Sequence, residues 1–353
     1  MAARMAARAP RARAGAPRPT SIARRAAPRA MAAAVGGDGE SGSGGGGERP
    51  LFPLFRQTVS FVEPRTRTRV VLVGCMHFNP HSVALATREI AERGERGALG
   101  AVVLEQCERR WRRAQERADP NASAWKRLLL TNEMQAAADA CEKYGARLVL
   151  GDQGIEELGG ALKAEAKRTV ADLLSPHEGG WVRVARDLTE GAEESFFSSG
   201  ADGLRATDLL DPRLVLTAPV TLIRYPAALL LKAPKTAAFV LGWFGALALA
   251  PAWVPAFSDS MPSGVGAEAL VLALEVAQIL LVSRVGMTAL LRKRNEILAA
   301  KIHEACVAEA QAVEGAAGGG GGGGSERTVV AVLGAAHCNG VHAILARGEG
   351  DGA

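Results

Sequence analysis

The sequence predicts an α/β fold: a mostly parallel sheet flanked by helices, with an apolar helical insertion. Three observations predict it. Four short runs, 69–74, 101–104, 147–151 and 328–334, are apolar nearly throughout, as strands covered on both faces should be. Segments of helical period alternate with them. Each run ends in a polar residue able to carry chemistry: His77, Glu105, Asp152 and His337.

The chain has 353 residues and a formal charge of +5. Residues 1–37 hold eight arginines (Arg4, Arg8, Arg11, Arg13, Arg18, Arg24, Arg25 and Arg29) and no acid. The remainder carries 34 basic residues against 37 acidic ones, so the basic excess belongs to the leader, and the body has no nucleic-acid footprint. A leader rich in Ala, Arg and Pro has the composition of an organelle transit peptide. Arg29-Ala30-Met31-Ala32 resembles a plastid processing site, which predicts a chloroplast address, with the mitochondrion as the alternative. Residues 38–50 read as a flexible linker, and the domain is expected over 51–353.

Within that domain, QTVSFVE, PRTRT and RVVLVG predict a hairpin that feeds the first buried strand. Residues 80–94 have helical spacing of Val83, Ile90 and Ala91. The strand 101–105 leads into a charged helix from Cys107 to about Ala118. An Ala-rich helix over 132–146 stops at Gly145 and is followed by the strand 147–152. A helix through Leu158 and Val170 comes next, then a polar region to about Leu210.

Residues 214–291 are apolar and poor in charge, and 236–258 contain no charged residue at all, a length that can cross a bilayer. Residues 269–291 form a second apolar run, interrupted by Glu275 and Arg284. A confident helix follows from Leu291 to about Gly315. The Gly-rich stretch 315–326 reads as a surface loop, because no Lys-Ser or Lys-Thr follows its glycines to make a phosphate loop. The final strand, 328–334, is expected to run into a turn and then a short helix from about Asn339.

The stretches Gly74-Cys75-Met76-His77 and Gly334-Ala335-Ala336-His337 repeat one pattern at two strand ends. In an open parallel sheet all carboxyl ends lie on one edge, where ligands bind. The two histidines are therefore expected to be neighbours in space. Two imidazoles, carboxylates and nearby arginines suit a catalytic or metal-binding cluster; capping of helices by the histidines is the plain alternative. The five cysteines include no C-x-x-C pair, which argues against a zinc ribbon or disulfide framework. Cys75, Cys107 and Cys338 sit within two residues of motif residues and read as small core residues.

These stretches resemble the TraB/PrgY/GumN family, which includes the Tiki proteins. VVLVGCMHFNPHSV resembles its first Gly-x-x-His motif, and VVLEQCERR its Val-x-x-Glu-x-Cys-x-x-Arg stretch, through Glu105, Cys107 and Arg110. NEMQAAADACEKYGARLVLGD is similar to the following helix and strand, with Glu133 and Asp152 in place. RKRNEILAAKI resembles the Glu-Arg-Asp/Asn helix through Arg294 and Asn295, and GAAHCNGVHAI the second motif through Gly334, His337 and Gly340. The sequence departs from the family pattern at Cys75, Gln153 and Lys293.

The resemblance implies a fold of the Tiki, ChaN and erythromycin-esterase kind. It also implies a metal-dependent hydrolase or peptidase acting on a peptide or small molecule. His77 and His337 would hold a divalent ion, with Glu105 as third ligand or base. Arg110 and Arg294 would stabilise an oxyanion or substrate carboxylate, and Asn295 would complete the site. The alternatives are a non-catalytic regulator or tether on an organelle membrane, and haem or tetrapyrrole binding. If both histidines share a site, an even number of membrane spans must separate them. A hairpin of 236–257 with 269–291, or of 214–231 with 236–257, satisfies this; an apolar helical cap in water is the alternative.

Overall fold

The computed structural model describes residues 56–116, 130–196, 203–232, 265–317 and 327–347, with isolated positions at 121, 123, 125, 234, 237, 238 and 242. The segments expected to be a transit peptide and a linker, the glycine run and nearly all of the charge-free stretch 236–258 lie outside the described residues.

The five strands are β1 (Thr58–Val62), β2 (Arg69–Cys75), β3 (Leu99–Leu104), β4 (Arg147–Leu150) and β5 (Thr328–Gly334). The sheet order is β1-β2-β5-β3-β4; β1 is antiparallel to β2, completing the predicted hairpin, and all other pairings are parallel. The last strand in sequence thus lies at the centre.

Alternation along the strands feeds two hydrophobic layers. One layer joins α1 (Pro80–Glu95) and α3 (Glu133–Lys143) to the sheet, with Leu85, Ile90 and Met134 against Val71, Val102 and Val332. The other joins α8 (Lys293–Ala317) and α9 (Ala335–Arg347), with Leu298, Ile302 and Val341 against Leu72, Val103 and Leu333. Cover on both sides explains the uninterrupted apolar runs of β2, β3 and β5, whereas β4, at the sheet edge, is only half-buried, contrary to the expectation. Asparagines start two of these helices: the side chain of Asn79 accepts from His81 and Ser82 N–H, and that of Asn132 from Gln135 N–H.

The charged helix α2 spans Glu108–Glu116, and α4, Ile155–Leu174, covers the helix expected through Leu158 and Val170. The polar region after it is not a loop throughout. It contains α5 (Gly180–Phe196), whose buried stripe is Val184, Asp187, Gly191 and Ser195. That stripe has helical spacing but polar and small residues, so hydrophobic periodicity does not reveal it. Its reason lies across the interface. Arg284 is fully buried, donating to Asp187 from Nε and Nη2 at 3.0 and 2.7 Å and to Asp172 from Nη1 at 2.7 Å. Gly191 leaves room for Met287, whose Cβ would stand 2.9 Å from a side chain there.

Two further helices, α6 (Pro212–Lys232) and α7 (Val265–Val285), occupy the apolar region. Two helical stretches, Pro212–Leu231 and Leu272–Gly315, are long and apolar enough to cross a membrane, by length and composition. The α7 helix does not stop before α8. A π-helical segment, Gly286–Arg292, carries it straight on, so the two helices predicted here form one rod from 265 to 317. Both proposed hairpins use 236–257, which falls largely outside the described residues.

Candidate functional site

Strand order builds the site. Because β2, β5, β3 and β4 are parallel neighbours, the residues beyond their carboxyl ends fall along one rim in the order His77, His337, Glu105, Asp152. Cys75 is in register with Gly334, which brings the two Gly-x-x-His turns side by side. The turns are not alike in detail. After β2 the chain makes a loop before α1, whereas α9 begins at Ala335 directly after β5, so His337 lies in the first turn of a helix rather than in the expected turn.

The side chains meet over a glycine. A Cβ at Gly334 would lie 3.4 Å from His77 Nε2, 3.3 Å from Glu105 Oε2 and 3.5 Å from His337 Cδ2. The convergence needs an absent side chain as much as the present ones.

Each imidazole is gripped from behind. His77 Nδ1 is 2.5 Å from Glu133 Oε1, and the other oxygen of Glu133 accepts from Phe78 N–H at 3.0 Å. Glu133 is 1 % exposed while the His77 ring is 40 % exposed, so a buried carboxylate holds an accessible ring. The grip bends the backbone: Phe78 has φ of 62°, unusual for a bulky residue. With a carboxylate as acceptor, Nδ1 carries the proton and Nε2 faces the rim. Burial pushes His77 down, but the hydrogen bond it donates to Glu133 and the negative charges of Glu133 and Glu105 outweigh it, and His77 titrates above its ordinary value.

His337 is held by Asn295, whose Oδ1 lies 2.7 Å from Nδ1, and its Nε2 stands 3.4 Å from Glu105 Oε1. Glu105 is buried, yet it is held far below the usual carboxylate range. Desolvation opposes ionisation; His337, the Arg294 guanidinium and His77 more than offset it. Its Oε2 also accepts from Gly334 N–H at 2.6 Å. Arg294 acts as a fork, reaching Glu105 Oε1 at 2.5 Å through Nη2 and both oxygens of Asp152 at 3.0 and 2.8 Å. Arg110 bonds Asp152 as well, so it belongs to the rim through that carboxylate.

Every residue singled out from sequence, His77, Glu105, Arg110, Arg294, Asn295 and His337, therefore enters one connected cluster. Glu133 is the functional residue that sequence reasoning left out of the site. It opens α3 one residue after the capping Asn132, where an acid needs no special explanation. The second glycine of the motif also acquires a reason. A Cβ at Gly340 would stand 2.1 Å from Asn295 Nδ2 and 2.9 Å from Asn295 Cγ. Gly340→Ala is thus expected to push Asn295 off His337 and to cost about 1–3 kcal/mol of stability, the usual range for overpacking. A urea titration of the variant checks this, and an unchanged midpoint would refute it.

The thiols do not join the site. Cys75 and Cys338 are buried and pushed well up by desolvation, as core residues. Cys107 precedes α2 and is also buried; there, hydrogen bonds from Arg110 and Arg109 outweigh burial and lower it.

A metal ion does not fit this rim as it stands. Both imidazoles have the Nδ1 partners that a metal-bound histidine needs. The third expected ligand is committed elsewhere: Glu105 gives one oxygen to Gly334 N–H and the other to a guanidinium, whose charge would repel a cation. Among the described residues no group of three His, Cys, Asp or Glu side chains is arranged to hold an ion. No family model, no curated protein and no solved structure matches the chain, so what this rim can do is read from its own residues.

Proposed function

We propose that the protein is a hydrolase, the reaction class its TraB-like motifs imply, but one that works by acid–base chemistry at the two-histidine rim rather than through the metal ion the resemblance implies. One observation carries the reading. Two imidazoles from strands adjacent in space are each fixed at Nδ1 by a buried partner, and they meet over Gly334. Holding an imidazole in one tautomer and one orientation, with its other nitrogen toward a reacting atom, is how a general base is built.

The steps balance without a further reactant. His77 takes a proton from water at Nε2 as the water oxygen bonds to an acyl carbon. Glu133 stabilises the imidazolium that forms. The same proton passes to the leaving oxygen or nitrogen as its bond to carbon breaks, giving an acid and an alcohol or amine. His337 is the second hydrogen-bonding group at the reacting atom. Positive potential for the developing oxyanion comes from Arg294 and from the first turn of α9, whose N–H groups have no acceptor within the helix.

The alternative within the same site is an ion bound by both Nε2 atoms. A chelator separates the two. Under the acid–base reading, hydrolysis of p-nitrophenyl acetate by the purified chain persists in EDTA and disappears in the His77→Ala/His337→Ala double variant. Activity lost to EDTA and restored by zinc would hand the chemistry to a metal. No activity under either condition would end the hydrolytic reading.

A further inference from the structure

Both apolar helices lead into the site. On one side, α6 packs against the loop that follows His77: Asn79 Nδ2 donates to Leu214 C=O at 3.4 Å, Thr217 donates to Asn79 Oδ1 at 3.0 Å, and Tyr225 meets the Phe78 ring edge-on at 5.9 Å. On the other side, α7 continues through the π-helical segment into Arg294 and Asn295. The α6 helix therefore lies beside the rim, and α7 is joined to it through the helix that carries Arg294 and Asn295.

Their outer faces are bare. On α6 a single stripe of Leu214, Thr217, Thr221, Arg224 and Ala228 faces the body. Leu216, Leu222 and Ile223, on the remaining face, are 80, 74 and 69 % exposed. That face carries no charge between Arg213 and Lys232. On α7, Leu272, Leu274 and Ile279 are 62, 62 and 64 % exposed, while Arg284 is turned into the body. A helix apolar nearly all round is normally sunk in protein or in lipid. Among the described residues they are not sunk in protein: 17 % and 11 % of the two apolar windows are buried.

Length, composition and the two prolines inside α6, Pro219 and Pro226, favour lipid as the cover.

We infer that α6 and α7 seat the protein on a lipid bilayer, with the two-histidine rim at the membrane surface, and that the substrate is an amphiphilic acyl lipid. The second half rests on the hydrolytic reading above; the first does not. An acyl chain needs no hydrogen-bond partners and can stay in the hydrocarbon of the bilayer while its ester reaches the rim at the membrane surface. A peptide laid there would leave its backbone N–H and C=O groups unpaired against hydrocarbon.

The test uses the purified full chain and vesicles of phosphatidylcholine with phosphatidylglycerol. The protein is expected to float with the vesicles, and Leu216→Glu/Leu222→Glu/Ile223→Glu to lower the bound fraction at least tenfold. These side chains face outward, and circular dichroism confirms that the variant is folded. Hydrolysis of p-nitrophenyl acetate is expected to be unchanged in that variant, while hydrolysis of p-nitrophenyl palmitate held in the vesicles falls at least tenfold. Flotation that ignores the three glutamates overturns the bilayer assignment. So does a dimer in lipid-free buffer that the glutamates dissociate, since a second copy would then be the cover. Equal cleavage of a soluble peptide by both forms, with no preference for the long-chain ester, overturns the lipid substrate. If neither ester is cleaved, the hydrolytic reading and the lipid substrate fall together, and flotation alone decides the docking.

Discussion

His77→Ala is expected to lower kcat/KM for an activated ester by about 10²–10⁴-fold, the usual worth of a positioned general base. The pH profile makes the expectation specific. His77 must be neutral to accept a proton, and Glu133 together with Glu105 raises its pKa. Activity should therefore climb with pH through a value above the ordinary histidine range. In Glu133→Gln the carboxylate that favours the imidazolium is gone, so the acidic limb should move to lower pH while the maximal rate falls. An unmoved limb would show that His77 is not the group being titrated. Stability runs the other way. A histidine whose folded pKa is raised contributes stability that is complete below its unfolded value of about 6.5 and is lost as pH rises through the folded value. Between those two values the enzyme should gain activity and lose a little stability, a pairing that a merely structural histidine would not produce.

Arg294→Ala is expected to destabilise the fold by about 3–5 kcal/mol, because it removes one partner from a buried ion cluster. Glu105 and Asp152 are 4 and 1 % exposed at their side chains, and Arg294 bonds both. Its loss leaves Glu105 with Gly334 N–H and His337, and Asp152 with Arg110 and Gln153 N–H. The denaturant midpoint measures the cost; a change below about 1 kcal/mol, ordinary for a surface pair, would refute the cluster. Arg294→Lys should recover only part of it, since an ammonium lacks the planar fork that spans two carboxylates. The loss should also depend on pH. The carboxyl of Glu105 is held far below its ordinary range, so its contribution is present above the unfolded value of about 4.3 and fades as pH falls toward the folded one. The difference between wild type and variant should narrow in strong acid.

Much of this was legible along the chain. Val70, Val102, Val149 and Val330 all lie in the strands expected, and the apolar runs without alternation are covered strands in β2, β3 and β5, though not in the half-buried edge strand β4. A polar residue after each run placed His77, Glu105, Asp152 and His337 at strand ends, and parallel strands place their ends on one edge. Other features were illegible for definite reasons. The α5 helix buries Asp187 beside Val184, because Asp187 pairs with Arg284, about a hundred residues away in sequence. Glu133 matched the family pattern without a role of its own, and only the loop after β2 shows that it faces an imidazole. The run from 269 to 315 reads as two helices, because no residue type announces a π-helical segment that keeps a helix continuous.

By itself the sequence determined the layers, since hydrophobic periodicity is local and decides which face of each element leaves water. It did not determine which strand lies beside which. That β5 sits between β2 and β3, bringing His337 between His77 and Glu105, was decided by tertiary structure. Strand order is a property of pairing between distant segments, and no short stretch of residues encodes it. The same holds for the two glycines of the second motif: their worth is the space they leave for Glu105, His77 and Asn295, and that space exists only once the chain has closed on itself.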